Sequence, residues 1–424
     1  MVPSPPPADG TIAAMISVDE AQSAVLSRTP TLGVETVSLA EARDRVLRAA
    51  VVGDRDLPPF DRAAMDGFAV RSVDVTAPGI RLSITGEVRA GAWPEGVVGE
   101  GEAFRIMTGA PLPRGADAVV QVERTRPAAA ESGVNAGVFI DAVPSSGQNF
   151  VPRGSEAPVG TELVPVGLRI GGAHLAVLAS VGVTEVTVAR RPRVAVIVTG
   201  DEVVDPSTSP TAGQIRNANG PALVAAIAEA GGEAVEFGVV PDDAEATRAA
   251  IARALDGTYD AIVLSGGVSA GDFDFVEPAL AALGVVAHVT AVRVKPGAPF
   301  VFATRGDVLV FGLPGNPVSA QVTFELFARP SLLRLQGAVA VHRPTLRAVL
   351  DAPLANRSGR RNFLPVSARF DEGVLHARPV RTQGSGDIAA HAQANGFAVL
   401  EPEQTAAAAG DTVSIYPLPA LLEV

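Results

Sequence analysis

The sequence predicts a multidomain α/β protein built on a doubly wound, mostly parallel sheet, with smaller β-rich regions before and after it in the chain. Residues 191–336 alternate apolar, β-branched runs with Ala-rich helical stretches, the rhythm of a parallel sheet covered on both faces. Three of those runs end in glycine followed by polar residues. Residues 57–140 and 340–424 break instead into short β-rich pieces at Gly/Pro turns.

Each element has a local reason. "MVPSPPPADG" lacks a basic flank and an apolar core, so residues 1–10 read as a disordered leader and not as a signal peptide. In "SVDEAQSAVLSR", Ser17 followed by Glu20 is a capping-box start to a helix. "GFAVRS", "LSITGEV", "FRIMTG" and "ADAVVQVE" are short strands of a small sheet-rich domain, and "RTRPAAAESGVNAG" is a long hairpin tip within it. Residues 145–190 are turn-rich with one apolar helix, "GGAHLAVLASVGV". Then "RVAVIVTG" is a buried strand. "NGPALVAAIAEAGG" is a helix with Asn219 as its cap, Pro221 in its first turn and Gly231 as its stop. Strand "AVEFGVV", helix "DDAEATRAAIARAL", strand "DAIVLSGG", helix "FVEPALAALG", strand "VLVFGLPG" and helix "PVSAQVTFELFARPSLLRL" complete the alternation.

Bulk properties remove several classes of function. The 424 residues carry a net charge of −12, which argues against a wide nucleic-acid-binding face. There is no cysteine, so disulfides, thiol nucleophiles and thiolate metal sites are excluded, and only five histidines are present. The longest apolar run, "HLAVLASVGV", reaches about ten residues against the roughly twenty that span a bilayer. A cytoplasmic protein without a membrane span is expected.

In an open parallel sheet, ligands bind outside the carboxyl ends of the strands. There "VTGDE", "LSGGVSAGDFD" and "GLPGNPVS" converge, with glycines that let backbone approach a ligand and helix starts that offer N–H groups to anions. Asn316–Pro317 with Ser319 forms a candidate phosphate cradle. Asp201, Glu202, Asp242, Asp272 and Asp274 share the rim, and an oxygen-only set beside phosphate suits Mg²⁺. Blander roles stand beside these: "VTGDE" and "LPGNP" read alone are ordinary βα turns, and Asp274 could cap the next helix, whereas the two glycine clusters of "GGVSAGDFD" are costly unless backbone geometry demands them. Neither common nucleotide fingerprint, GxxxxGK[ST] or GxGxxG after a strand, is present.

"PPFDRAAMDGFAV", "MTGAPLPRGADAVVQVE", "VTGDE", "SGGVSAGDFD", "KPGAPF" and "GLPGNPVSA" stand in an order and spacing that resembles the molybdopterin molybdenumtransferases, MoeA-type proteins related to the E domain of gephyrin. The resemblance runs from about residue 14 to the C-terminus. It implies an elongated homodimer with a molybdopterin-binding doubly wound domain over 11–29 and 191–336. A connecting domain would take 30–52 and 149–190, a β-rich insertion 53–148, and a β-barrel-like C-terminal domain 337–424. It also implies that adenylylated molybdopterin binds by its phosphates, molybdate is inserted, and AMP leaves in a Mg²⁺-dependent step. The catalytic residues it implies are Asp66 (from the partner subunit), Thr108, Glu202, Asp242 and Asp274, the last three also facing the metal. Gly200, Asn219, Ser265, Gly266, Gly267, Ser269, Gly271, Pro314, Gly315, Asn316 and Ser319 would hold the molybdopterin. Lys295, Pro299, Ser385, Arg360 and Arg361 would surround molybdate.

Lys295 is the only lysine beside 33 arginines. A compact ammonium suits a tetrahedral oxyanion, whereas the arginine fork favours bidentate partners; the plainer role for Lys295 is a solvated surface charge. Around it the chain departs from the family pattern. The second lysine of the family turn is Ala298, and another upstream is Ala291. An arginine of the C-terminal domain is Pro365, with Arg360 and Arg361 close by. Near "GQNFVPRGSE" a usual arginine is Val151 and a usual aspartate is Glu156, while Arg153 remains. Two functions stay open at this point. One is a working transferase whose anion pocket is rearranged around Arg293, Arg360 or Arg361. The other is a gephyrin-like scaffold that binds a cytoskeletal or cell-division tail peptide in a groove between the doubly wound domain and the tail. A cleft lined by Lys295, Ser385 and an arginine would favour the first, and an exposed apolar patch the second.

Overall fold

The computed structural model describes residues 15–128, 136–268 and 274–422. The leader, half of the hairpin tip, and Ser269, Gly271 and Asp272 lie outside the described residues. The chain forms two compact units, one of residues 49–166 with 172–185, the other of the residues up to 48 with 167–171 and 186 onward.

The 49–166 unit holds a six-stranded sheet of β1 (Gly67–Val70), β2 (Ile80–Val88), β3 (Glu102–Ile106), β4 (Ala118–Gln121), β5 (Thr125–Ala128) and β6 (Gly137–Ile140), in the order β4-β1-β3-β2-β6-β5. The two ends of the expected hairpin, β5 and β6, pair antiparallel, Thr125 opposite Ile140. Gly67 opens β1 so close to β4 that a Cβ would lie 1.9 Å from the Val120 carbonyl oxygen. The apolar helix near residue 175, Gly172–Ser180, belongs to the same unit.

In the larger unit, α1 (Val18–Ser27) starts with the expected capping box. The Glu20 amide donates to Ser17 Oγ (3.2 Å) and the Ser17 amide to Glu20 Oε2 (2.7 Å). The doubly wound sheet follows as β7 (Arg193–Thr199), α2 (Asn219–Glu229), β8 (Glu233–Val240), α3 (Ala244–Leu255), β9 (Ala261–Ser265), α4 (Val276–Ala282), β10 (Val286–Ala291), β11 (Pro299–Arg305), β12 (Val308–Leu313) and α5 (Pro317–Thr323). Its order is β8-β7-β9-β12-β11-β10. Strands β8, β7, β9 and β12 are parallel, while β11 runs antiparallel to both its neighbours. The chain leaves β7 for β8 on one side and then crosses back to β9 on the other. The crevice of a doubly wound sheet therefore opens at the ends of β7 and β9.

Helix α5 runs through a π-helical turn, Phe324–Ala328, into α6 (Arg329–Leu335). Buried Glu325 in that turn accepts two bonds from Arg343 (2.7 and 3.0 Å), and its carbonyl accepts the Tyr416 hydroxyl at 3.0 Å. Tyr416 lies in the last of five strands, β13 (Leu346–Leu350), β14 (Arg361–Asp371), β15 (Val374–Pro379), β16 (Gly396–Leu400) and β17 (Thr412–Pro417). These pair as β14-β15-β13-β17-β16 and back to β14, a closed barrel around Leu350, Val366, Leu400 and Ile415. The C-terminal region is thus a true barrel. Among the described residues, no helix is long and apolar enough to cross a membrane.

Candidate functional site

The crevice at the ends of β7, β9 and β12 opens into a cavity of about 1220 Å³, walled on its other side by barrel residues. Gly200, Glu202, Asn219, Asp242, Ser265, Gly266, Gly267, Asp274, Pro314, Gly315, Asn316 and Ser319 all line it, as do Lys295, Pro299, Arg360 and Ser385. Loops far apart in sequence therefore meet here.

Local hydrogen bonding sets the shape of this wall. Buried Asn219 is not a cap. The residue before α2 is Ala218, and Asn217 Oδ1 accepts the Gly220 amide at 2.9 Å instead. Asn219 Nδ2 donates to Ser265 Oγ (2.7 Å) and to the Gly315 carbonyl (2.8 Å), tying together the loops after β9 and β12. Gly266 has φ +101°, and a Cβ there would sit 2.6 Å from Thr199 Oγ1, so only glycine fits. Asn316 stands at the N-cap of α5 without a side-chain cap bond, and the Val318 amide donates to the Ser385 carbonyl at 3.1 Å. The expected cradle thus spends one of its amides on the barrel loop. Among the described residues the buried polar atoms without a partner are Thr199 Oγ1 and His391 Nδ1, both on residues lining this cavity.

The acid side is held by backbone. The Asp201 amide donates to Asp242 Oδ2 (3.3 Å) and the Asp242 amide to Asp201 Oδ1 (3.0 Å). Burial pushes the Asp242 carboxyl above the ordinary carboxylate range, and the charges of Asp201, Glu202 and Asp274 add to this against the Asp201 amide. A cation would relieve that repulsion. No three Asp, Glu or His side chains among the described residues gather tightly enough to form a metal site by themselves. Mg²⁺ usually takes one or two carboxylates plus phosphate oxygens and water, so these acids fit as a partial donor set. Asp274 does not serve as the cap of α4, whose N-cap is Phe275.

On the basic side, Val294–Lys295 pairs in parallel with Arg361–Asn362 of β14, so the barrel edge positions the lysine turn. Lys295 and Arg360 have no acidic partner among the described residues. Arg361 does not line the cavity. Its guanidinium is bidentate with Asp19 (2.8 and 3.1 Å) and also donates to Glu401 (2.8 Å), and these bonds hold it above the ordinary guanidinium range. Ala298 and Pro365, which stand where the resembling family has cations, both line the cavity and make that wall apolar.

Asp66 and Thr108 lie in the other unit and meet each other. Asp66 Oδ1 accepts the Thr108 amide (2.6 Å) and hydroxyl (2.7 Å), which lowers its pKa from the usual value. In the same unit Glu156 pairs with Arg62 (2.9 Å) and Arg153 with Asp56 (2.7 Å). Sequence reasoning missed Ile215, Arg216, Asn362 and His391, which also line the cavity. The only signal for the first two was their place shortly after "VTGDE".

The chain matches the MoeA N-terminal region (domain I and II) over residues 16–182, the probable molybdopterin binding domain over 195–334, and the MoeA C-terminal region (domain IV) over 347–418. It is 34% identical over 418 residues to a molybdopterin molybdenumtransferase of Nostoc sp. (strain PCC 7120 / SAG 25.82 / UTEX 2576), covering 96% of this chain and 94% of that one. Against the protein of the same name from Bacillus subtilis (strain 168) the identity is 33%, covering 94% and 93%. The crystal structure of the molybdopterin biosynthesis moeA protein from Pyrococcus horikoshii OT3 superposes with a TM-score of 0.80 at 27% identity, covering 95% and 99%. The closed barrel, the switch-point crevice and these matches define the class as MoeA-like, with a molybdopterin-binding α/β domain. The chain belongs to the molybdopterin molybdenumtransferase family, and its transferase role lies in molybdenum cofactor biosynthesis.

Proposed function

We propose that the chain inserts molybdate into adenylylated molybdopterin with release of AMP, in a Mg²⁺-dependent step, as a cytoplasmic homodimer whose Asp66 and Thr108 serve the partner subunit's cleft. The observation that carries this reading is the meeting in one cavity of an acid rim, Glu202, Asp242 and Asp274, with Lys295 and Arg360, two of the cations there that have no acidic partner among the described residues. A substrate with pyrophosphate at one end and an oxyanion acceptor at the other matches that division of charge.

Glu202, Asp242 and Asp274 would hold the Mg²⁺. When bound, it supplies charge neutralisation at the phosphates and polarises the bond to the leaving AMP. Asn219 and Ser265 fix the loops that face the pterin phosphate, and Gly266 keeps the floor free of side chain. The Lys295 ammonium, aimed by its pairing with β14, attracts molybdate, with Arg360 and the Ser385 hydroxyl as further donors. A cleft lined by Lys295, Ser385 and an arginine supports the transferase over a peptide-binding scaffold.

A single-turnover experiment with adenylylated molybdopterin, molybdate and Mg²⁺ tests this by following AMP release and protein-bound molybdenum together. Coupled release and loading, abolished in Lys295→Ala, is expected. Pterin binding without either event, in the presence of Mg²⁺, would sink the reading.

A further inference from the structure

The 49–166 unit holds a cavity of its own, of about 370 Å³, lined by Gln121, Arg124, Ala142, Pro144, Gln148 and Asn149. Its size suits a ligand of few atoms. Its place follows from the edge of the sheet. Strand β4 is bonded to β1 on one side only. On its other side the Val119 amide donates to the Gln148 carbonyl (3.0 Å), and Asn149 Nδ2 donates to the Val119 carbonyl (2.9 Å). Residues two apart in a strand turn their amides the same way, so the Gln121 N–H points off this edge too, beyond the last bond made by the 147–149 segment. Nothing among the described residues accepts it. The walls are firmly held, because the Val122 amide donates to the Asp66 carbonyl (3.0 Å) and the Ala64 amide to the Asn149 carbonyl (2.9 Å).

The side chains around that N–H offer mostly donors. Gln148 Oε1 already accepts the Ser145 amide (2.9 Å), so its NH₂ group is what remains for a ligand. The Arg124 guanidinium has neither an acidic partner nor a hydrogen bond among the described residues. Asn149 is the converse. Its Nδ2 is spent on Val119 and its backbone is fixed in the left-handed region (φ +60°), which leaves Oδ1 as an acceptor. No aspartate or glutamate lines this cavity, in a chain whose net charge is −12. A donor-rich pocket with a neutral acceptor at one side selects an anion that carries a hydroxyl. The carboxylate takes the guanidinium fork and the N–H groups, the hydroxyl donates to Asn149 Oδ1, and a short carbon chain lies against Ala142 and Pro144. An amino acid fits less well, because its ammonium would meet no carboxylate.

We propose that this cavity binds a small hydroxycarboxylate, with Arg124, the Gln121 backbone N–H and the Gln148 amide on the carboxylate and Asn149 Oδ1 on the hydroxyl. The inference goes beyond the transferase reading and does not rest on it.

Calorimetric titration of the full-length protein with L-malate, succinate and inorganic phosphate tests this. Malate binds. Succinate, which lacks only the hydroxyl, binds several-fold more weakly, and so does phosphate, which has no carbon chain. Arg124→Ala weakens malate about tenfold, and Arg124→Lys falls between it and wild type, because the charge remains but the fork is lost. Gln148→Glu keeps an oxygen for the Ser145 amide but sets a carboxylate where the NH₂ group stood. It weakens malate by at least about tenfold and leaves the melting temperature unchanged. The proposal is overturned if malate does not bind, if succinate or phosphate binds as tightly, or if neither the Arg124 nor the Gln148 variants change malate affinity. Malate binding that survives those variants and is lost in Lys295→Ala places the anion in the larger cavity, which also overturns it.

Discussion

Arg360 and Arg361 are neighbours in sequence with opposite fates. Arg361 begins β14 and turns to Asp19 and Glu401, while Arg360, one residue earlier, lines the cavity with no acidic partner among the described residues. The two substitutions should therefore separate cleanly. Arg360→Ala should lower molybdate affinity about tenfold with little change in melting temperature, since only the ligand loses a partner. Arg361→Ala should leave molybdate affinity unchanged and cost about 1 kcal/mol of stability, because Asp19 and Glu401 are largely solvated and such pairs are heavily screened. Titration of both variants with molybdate, beside thermal unfolding, checks the pair; equal loss of affinity in the two would refute the assignment. Ala298 gives the converse case. It lines the cavity in the same turn as Lys295, so Ala298→Lys should restore an ammonium and tighten molybdate binding about tenfold. A variant that stays folded and binds no more tightly would show that this wall does not face the anion.

At the scale of elements, the π-turn in the long helix behind the cavity is bound to the barrel by a buried polar cluster. Glu325 is buried, the Arg343 side chain is only 8% exposed, and Arg329 lies 3.8 Å from the same carboxylate. Burial, with Arg343 adding to it, already holds Arg329 below the ordinary guanidinium range. Glu325→Gln would leave two buried cations without a counter-charge, so a loss of roughly 3–5 kcal/mol in urea unfolding is expected; a loss under about 1 kcal/mol would mean that water satisfies the arginines. A second junction titrates. His391 ends the short helix Ile388–His391, bonds Gln321 of α5 through Nε2, stacks on Phe397, and is held below the ordinary histidine range by burial. The folded chain then binds this proton less well than the unfolded chain. Stability falls as pH drops below the ordinary value near 6.5 and is fully regained above it. His288 and His342 are shifted the same way, so His391→Gln should flatten this slope only in part between about pH 7.5 and 5.5. An unchanged slope in that variant would remove His391 from the account.

For the molecule as a whole, what was legible followed from how local each signal is. The strands β7, β9 and β12 and the helices α2 and α3 declare themselves because a buried strand and an amphipathic helix carry their period within a few residues. Strands β10 and β11 escaped notice. "VAHVTA" and "PFVFATR" flank the Pro/Gly turn at Lys295, and their antiparallel partners are set by the whole sheet. Barrel closure through β14 and β16 is equally non-local. The glycine-bearing loops of the site were legible because positions such as Gly266 leave the backbone no alternative residue. The role of Arg361 was not, since its partner Asp19 is 342 positions away. Charge is the one global property that composition fixes outright, and it bears on how ligand arrives. A net charge of −12 repels a dianion at long range, while Lys295, Arg360 and Arg216 attract it only near the cavity mouth. Raising ionic strength from about 0.01 M to about 0.15 M shortens the screening length from ~30 Å to ~8 Å, which suppresses the distant repulsion more than the close attraction. The association rate of molybdate, followed by stopped flow, should therefore rise with salt by about twofold. It should rise more steeply in Arg216→Ala, where one source of local attraction is gone. A rate that falls with salt in wild-type protein would mean that the three cations govern the field along the whole approach, and that the acidic surface plays no part in ligand entry.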